Sequence, residues 1–411
     1  MAISQKSRRI TGLAALAVVA ATALSTEAAA AGQQTGALET GALADPVALV
    51  ADFEDMIAAK AGGGTVIPVT VEGGTVGDSA KAFAALRITA KIGETIAPVA
   101  WVDATHLKVT APPTTRATAA RMRLLKAGVA GPESTDQVGY TPGVAIVAPA
   151  VLNAGGGATV TITGTGFLGV DATNPESVKF GEVNATSFTV LSAVKITAVA
   201  PAGSNGVTPV RVVSTGGASP VTATSRVNYR APLGLSGTPV AKATGGQVVL
   251  TVTGAELGAD VKSFTAEKIA VVVGSRTLQP TYIDENRMRI NVPAASTDTV
   301  PVKIIHDGIA GEPATITMAP VVVSVSTPTG SVAGGKRVTI RAAGANLAEA
   351  TDFRFGDKAA TCVKQGTSTA LSFLCTVPPA DAPGPVQIGF TTGNGKTSRF
   401  TAAATFSYTV N

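Results

Sequence analysis

The sequence predicts an all-β protein made of four β-sandwiches in a row. Its composition is the first observation: of 411 residues, 45% are apolar, 4% are aromatic and 14% are charged, with 45 Gly and 24 Pro. Many turns that join strands rich in Val, Thr and Ala produce such a composition. The second observation is a strand-and-turn pattern that occurs four times, about 90 residues apart. That period is the size of one complete small sandwich.

Each repeat opens with two glycines, followed by a strand of alternating polarity. The glycine pairs are Gly63-Gly64, Gly156-Gly157, Gly245-Gly246 and Gly334-Gly335. Further along, every repeat places an apolar residue before Gly, then a small or apolar residue before Pro, and then a second alternating strand. The alternation directs Val, Ile and Leu inward and Thr, Lys and Arg outward, as expected for strands with one buried face.

The first 31 residues are predicted to be a signal peptide. Lys6, Arg8 and Arg9 precede an apolar run at residues 10–24, and small residues at 28–31 offer a cleavage site. The run is too short for a stable membrane span, and an anchoring helix is the alternative. The mature protein is therefore expected to be secreted or held at the cell surface, with no membrane span after cleavage. The sequence leaves open which of the Sec and twin-arginine routes exports it.

The net charge disfavours nucleic acid as a partner. The formal charge is +5, of which +2 belongs to the predicted signal peptide, so +3 remains on the mature chain. No cluster of Lys and Arg with interleaved aromatic residues is present, as a nucleic-acid groove would need.

The repeat predicts domains at residues 32–142, 143–232, 233–319 and 320–411. Short linkers that contain Pro142, Pro232 and Pro320 separate them. Because proline fixes φ, we expect an extended, semi-rigid rod. Units one and three resemble each other, as do units two and four, which predicts two alternating subtypes. Residues 46–60 are predicted as a strand and a loop, with a short helix as the alternative.

Unit two carries a recognisable set of motifs. They lie at residues 155–167, 178–181, 196–201, 210–212 and 215–219. The set closely resembles the IPT/TIG family, the immunoglobulin-like (E-set) fold shared by plexins and transcription factors. Unit four is similar through Gly334-Gly335, Phe355-Gly356 and Pro378-Pro379, whereas units one and three lack several pieces. The resemblance implies a fold far more than a function, and the predicted export favours the surface proteins of the family.

Two glycine motifs suggest phosphate binding but lack the required context. Residues 164–169 spell GxGxxG, yet a loop follows them where a dinucleotide site needs a helix, so a turn is predicted. Gly395, Lys396 and Thr397 resemble the end of a P-loop, but Phe390 occupies the position of its first glycine. A hairpin turn at Asn394 and Gly395 is expected there.

No catalytic or metal site is predicted, and no cofactor. His106 and His306 lie at non-equivalent places in units one and three, and both are expected to be solvated. Two acidic groups are interpreted as solvated faces, with an interdomain calcium site as the alternative. The acidic groups are Asp45, Asp52, Glu54 and Asp55, and Asp284 and Glu285.

Cys362 and Cys375, the only cysteines, are predicted to form a disulfide. They flank residues 363–374 in two strands that are expected to pair antiparallel. An even number of cysteines in an exported protein indicates a bridge, and two free thiols are the alternative. C-x-x-C is absent, which disfavours a redox pair.

The predicted function is that of a non-enzymatic secreted or cell-surface protein, structural or adhesive, acting through tandem immunoglobulin-like domains. Its partner would be another protein or a second copy, in a surface layer or a filament. The alternative is binding of a cell-wall glycan or another extracellular polysaccharide. Sugar sites need exposed aromatic residues, and Trp101 is the candidate contact, with packing in the core as its competing interpretation.

Overall fold

The computed structural model describes residues 48–366 and 371–410, which form four β-sandwiches of two sheets each. The all-β prediction is confirmed, and the immunoglobulin-like sandwich is the repeating unit. The predicted signal peptide and Asp45 lie outside the described residues. Within the described ranges, no helix has the length and apolar character needed to cross a membrane.

The first sandwich pairs a four-stranded sheet, β1-β3-β7-β6, with a five-stranded sheet, β2-β9-β8-β4-β5. Its elements are β1 (Val50–Asp52), β2 (Ile57–Lys60), β3 (Val66–Glu72), α1 (Ala80–Leu86), β4 (Ile88–Ile92), β5 (Thr95–Ala97), β6 (Val99–Trp101), β7 (His106–Thr110), β8 (Ala119–Lys126) and β9 (Val129–Thr141). Where residues 46–60 are described, they contain two strands joined by a turn, whereas one strand and a loop were predicted.

The second sandwich has the sheets β10-β12-β16-β15 and β11-β19-β17-β13-β14, with β18 paired to β17. Its elements are β10 (Gly143–Ala148), β11 (Val151–Asn153), β12 (Thr159–Thr165), the 3-10 helix η1 (Pro175–Ser177), β13 (Val178–Phe180), β14 (Val183–Asn184), β15 (Ser187–Ser192), β16 (Lys195–Val199), β17 (Gly206–Ser214), β18 (Gly217–Ala218) and β19 (Arg226–Arg230).

The third sandwich repeats this arrangement as β20-β22-β26-β25 and β21-β29-β27-β23-β24, with β28 paired to β27. Its elements are β20 (Gly234–Leu235), β21 (Val240–Lys242), β22 (Gly246–Thr253), α2 (Val261–Ala266), β23 (Ile269–Val273), β24 (Arg276–Leu278), β25 (Thr281–Asp284), β26 (Arg287–Val292), β27 (Thr299–His306), β28 (Ile309–Ala310) and β29 (Ala314–Ala319).

The fourth sandwich has the sheets β30-β32-β36-β35 and β31-β38-β37-β33-β34. Its elements are β30 (Val321–Val325), β31 (Thr329–Ser331), β32 (Arg337–Ala343), η2 (Leu347–Glu349), β33 (Thr351–Phe355), β34 (Lys358–Ala359), β35 (Thr361–Gln365), β36 (Ser372–Thr376), β37 (Gly384–Thr391), η3 (Ala402–Ala404) and β38 (Thr405–Thr409).

Alternating burial along the strands builds a separate core in each sandwich. In β3, for example, Ile67, Val69 and Val71 are buried while the residues between them are exposed. Burying one such side chain contributes about 1.5–3 kcal/mol, so the period-2 pattern selects one face of each strand for the core.

The two predicted subtypes appear as a difference in one connection. It contains a short α-helix in the first and third sandwiches, α1 and α2, and a 3-10 turn in the second and fourth. Neither α-helix was expected from the sequence, because each is only two turns long. Side chains at the N-caps support both: the Ser79 hydroxyl accepts from the N–H of Ala82, and Asp260 forms a capping box with Ser263.

Candidate functional site

Trp101 lies on the edge strand β6 and is half-buried. Its ring packs against the core of the first sandwich, and its indole Nε1 donates a hydrogen bond to the Gly77 carbonyl at 3.1 Å. Because the ring and its donor are both engaged within the sandwich, the structure favours the packing interpretation over sugar binding at this residue.

His106 sits at the exposed start of β7, as expected. Its Nδ1 lies 2.8 Å from a carboxylate oxygen of Asp103, and more than half of each side chain is exposed. Hydrogen bonds from the Thr105 N–H and from His106 lower the pKa of Asp103. These contacts close a local turn.

The prediction for His306 was wrong, because this histidine is fully buried. It lies where the second and third sandwiches meet. Its Nδ1 is 2.9 Å from the Ala231 carbonyl oxygen, in the linker, and its Nε2 is 2.6 Å from a carboxylate oxygen of Glu267. His306 lies on the same face of β27 as the buried Val302 and Ile304, so the strand alternation indicates an inward side chain, which the expectation from residue type overlooked.

A buried ion-pair network surrounds His306 at this second joint. Arg230, from the last strand of the second sandwich, has a side chain only 6% exposed and pairs with Glu267 of the third. Arg230 Nη2 also donates to the Ala266 carbonyl at 3.2 Å, and its Nε lies 3.5 Å from a carboxylate oxygen of Asp307. Lys268 Nζ lies 3.1 Å from the other oxygen of Asp307. Cations and carboxylates therefore alternate across the joint, and each buried charge faces an opposite one.

The GxGxxG segment forms the first joint. The Ala117 N–H donates to the Gly166 carbonyl at 2.9 Å, and the Leu168 N–H donates to the Thr115 carbonyl at 3.2 Å. A Cβ at Gly169 would overlap with the Ala117 backbone, and one at Gly166 would crowd the Ala117 side chain. The segment runs from the end of β12 into a turn, as predicted, and its glycines allow two backbones to meet.

The segment that resembles a P-loop end forms the third joint. The hairpin at residues 393–396 brings Asn394 Nδ2 to 2.5 Å from a carboxylate oxygen of Asp298, in the third sandwich. Lys396 Nζ lies 3.4 Å from the other oxygen of that carboxylate. The hairpin was predicted, but its contact with the preceding sandwich was not.

A polar groove of about 580 Å³ opens beside the third joint. This joint groove is lined by residues 240–242 and 245–249 of the third sandwich and by Arg399 and Phe400 of the fourth. Phe400 is 53% exposed and is the only aromatic side chain of the described residues that is so open to solvent. Sequence reasoning missed it, although a comparison of units two and four offers a signal, since unit two has Val221 at the matching place.

The predicted disulfide between Cys362 and Cys375 is confirmed. The cysteines are direct cross-strand partners on β35 and β36, with their Cα atoms 4.0 Å apart. In the described part of the chain, no group of three or more His, Cys, Asp or Glu side chains could hold a metal ion.

The family model described as "IPT/TIG domain" matches residues 144–227, 236–318 and 320–408, more than half of the chain. The chain belongs to the IPT/TIG family. The matched segments fall on the second, third and fourth sandwiches, so the third IPT/TIG unit is recognised despite the motif pieces it lacks. A sequence comparison with curated proteins gives no match.

Three solved structures show similar chains of domains. The full extracellular region of plexin A4 is 12% identical, with 88% of this chain and 38% of that chain covered and a TM-score of 0.24. Invasin, a bacterial integrin-binding protein, is 13% identical, with 88% and 79% covered and a TM-score of 0.23. SGBP-B of the Bacteroides ovatus mixed-linkage glucan utilization locus, solved with a heptasaccharide, is 13% identical, with 68% and 70% covered and a TM-score of 0.20. This IPT/TIG chain spans less than half the length of the plexin A4 chains.

Proposed function

We propose that this IPT/TIG protein is a non-enzymatic, secreted or cell-surface protein that is structural or adhesive and acts through the outer faces of its sandwiches. The observation that carries the proposal is the construction of the joints. Consecutive sandwiches are tied by backbone hydrogen bonds at the first joint, by buried ion pairs at the second and by a carboxylate contact at the third. Joints of this kind hold neighbouring domains in a defined relation, as a scaffold requires.

The exposed surfaces suit association with another chain. On the second sandwich, Thr161, Thr197 and Thr189 form one cross-strand row of polar side chains. The adjacent strand β15 is an edge strand, and its Leu191 is 55% exposed. An open edge offers unpaired N–H and C=O groups to a second chain, which favours assembly by strand addition.

Electron microscopy of the purified mature protein tests this proposal. Filaments or ordered layers are expected, and Leu191→Lys should prevent them by placing a charge on the open edge. Val207→Lys is the matched control, because Val207 is 62% exposed but lies on β17, an interior strand. Particles that stay monodisperse at high concentration would contradict self-assembly.

Cell fractionation tests the location. A processed chain that starts near residue 32 and is found in the medium or the wall is expected. Small-angle X-ray scattering of the same material tests the extended rod, which remains a prediction. An unprocessed protein that stays inside the cell would contradict the proposed export.

A second candidate function is binding of an extracellular carbohydrate. The specific observation in its favour is Phe400, because a solvent-exposed aromatic ring is the feature that sugar sites require. Pull-down of the mature protein with isolated wall glycan tests this candidate directly. If it holds, the purified protein should bind the glycan as a monomer.

A further inference from the structure

We propose that the joint groove binds a carboxylated polysaccharide, with a sugar ring stacked on Phe400 and its carboxylate held by Arg399 and Lys242. The proposal rests on the second candidate function above and gives it a site and a ligand class. The groove volume of about 580 Å³ lies within the usual range of ligand sites.

The Phe400 ring is exposed, but the backbone beside it is fixed. The Arg399 N–H donates to the Pro320 carbonyl at 2.7 Å, and the Thr401 hydroxyl donates to the Val322 carbonyl at 2.7 Å. Both flanking residues are therefore tied to the linker and first strand of the fourth sandwich. A ring carried on fixed backbone offers contact area to a ligand, and only its own side-chain torsions remain to be ordered on binding.

The charge of the groove is positive and uncompensated. Lys242 and Arg399 are its two charged lining residues, and no Asp or Glu lines it. Arg399 Nη1 donates to the Val240 carbonyl at 3.3 Å, which orients the guanidinium group without neutralising it. No ion pair formed by described residues involves Lys242. Two unpaired cations at one opening favour a ligand that carries negative charge.

The other lining residues favour a sugar acid over other anions. Gln247 contributes an amide, and a Cβ built on Gly246 would meet nothing within 4 Å, so the backbone there is open to a ligand. A pyranose ring presents C–H groups to the face of an aromatic ring and hydroxyls to amides. Inorganic phosphate would use the cations alone, and an apolar peptide would need neither cation. A sugar acid uses the ring, the amide and the cations together.

The second sandwich shows that the fold does not require these residues. Ser219 and Ser398 occupy the same place, since each hydroxyl accepts from a strand N–H, at 3.0 and 2.9 Å respectively. The next two residues are Pro220 and Val221 in the second sandwich but Arg399 and Phe400 in the fourth. The cation and the exposed ring are therefore additions specific to the third joint.

Titration calorimetry of the full mature chain with oligogalacturonate tests the proposal, with the methyl-esterified oligomer as a neutral probe. Binding of the acidic oligomer is expected, with at least tenfold weaker binding of the ester. Phe400→Ala and Lys242→Glu should each weaken binding of the acid at least tenfold, and Phe400→Trp should retain it. The matched controls Ile96→Ala and Lys195→Glu, at exposed sites in other sandwiches, should change affinity less than twofold.

Three outcomes would overturn the proposal. The acidic oligomer does not bind, or binding is unaffected by both groove variants, or inorganic phosphate binds as well as the sugar acid does. Pull-down with whole wall glycan distinguishes a failure of carbohydrate binding from a failure of this groove as its site. If the wild type and the groove variants are retained equally on that glycan, carbohydrate binding stands and this groove is excluded as its site. If no glycan retains the wild type, both carbohydrate binding and the groove as its site are wrong.

Discussion

The buried network at the second joint gives the sharpest prediction about how the sandwiches are held together. Glu267→Gln removes one negative charge and keeps the shape of the side chain, so no cavity forms. Glu267 is the shared partner of Arg230 and His306, whose side chains are 6% and 1% exposed. The change therefore leaves two nearly inaccessible groups with a neutral amide in place of a carboxylate.

The expected cost follows from that burial. Removing one partner of a buried pair costs about 3–5 kcal/mol. Glu267 itself is 21% exposed, and Arg230 keeps Asp307 at 3.5 Å, so we expect about 2–3 kcal/mol. At about 1.4 kcal/mol per factor of ten, opening of the joint becomes roughly 30- to 150-fold more frequent.

Hydrogen exchange of the full chain, read by mass spectrometry, measures this opening. Faster exchange is expected in β19 and β27, which meet at the joint, and not in β37 of the fourth sandwich. Glu133→Gln is the matched control, because Glu133 pairs with Arg123 at 2.8 Å with both side chains almost half exposed, and such pairs contribute about 0–1 kcal/mol. If exchange at the joint changes no more than in this control, the network does not hold the sandwiches together.

Four further predictions concern buried tyrosines, one glycine and the disulfide. Burial raises the pKa of Tyr140 and Tyr229 to about 12. Between about pH 10 and 12 the folded state therefore keeps protons that the unfolded state loses, so stability against urea should fall as the pH rises through this range. At neutral pH, Tyr229→Phe removes a hydrogen bond to a carbonyl and should lower the free energy of unfolding by about 0.5–1.5 kcal/mol. The Tyr140 hydroxyl has no partner among the described residues, so Tyr140→Phe should leave that free energy unchanged. Equal losses for the two variants in urea unfolding would contradict this prediction. Gly169→Ala places a methyl group into the backbone of the first sandwich and should raise hydrogen exchange at the first joint, while an unchanged pattern would show that the contact is dispensable. Replacing Cys362 and Cys375 by Ser should lower the stability of the fourth sandwich by about 3 kcal/mol in the chain-entropy model, and thiols that react in the unreduced native protein would contradict the bridge.

Much of the fold was predictable because it depends on residues that are close together in the chain. The glycine pairs, the strand alternation and the prolines recur in register, and each is read within a few residues. The same holds for the disulfide, whose cysteines are 13 residues apart on strands joined by a short connection. The helices α1 and α2 were missed because two turns are too few to show a helical period.

The candidate site was less predictable. Trp101 was chosen by residue type, yet it is engaged in its own sandwich, while Phe400 was overlooked although no other described aromatic residue is as exposed. The sequence pattern predicts that an aromatic residue among alternating apolar and polar residues is buried in the core. Only its placement beside residues 240–249 of the preceding sandwich shows that it faces a groove.

The sequence by itself determined the four sandwiches, their order and their short linkers, because the burial of a strand face is decided by neighbours close in the chain. The tertiary structure decided what happens between sandwiches. His306 meets the Ala231 carbonyl of the linker, 75 residues away, and Glu267 beside it pairs with Arg230 of the second sandwich. The glycines of the GxGxxG turn meet a backbone that belongs to another domain. Such contacts leave no period in the sequence, since they join surfaces whose residues have no fixed spacing along the chain.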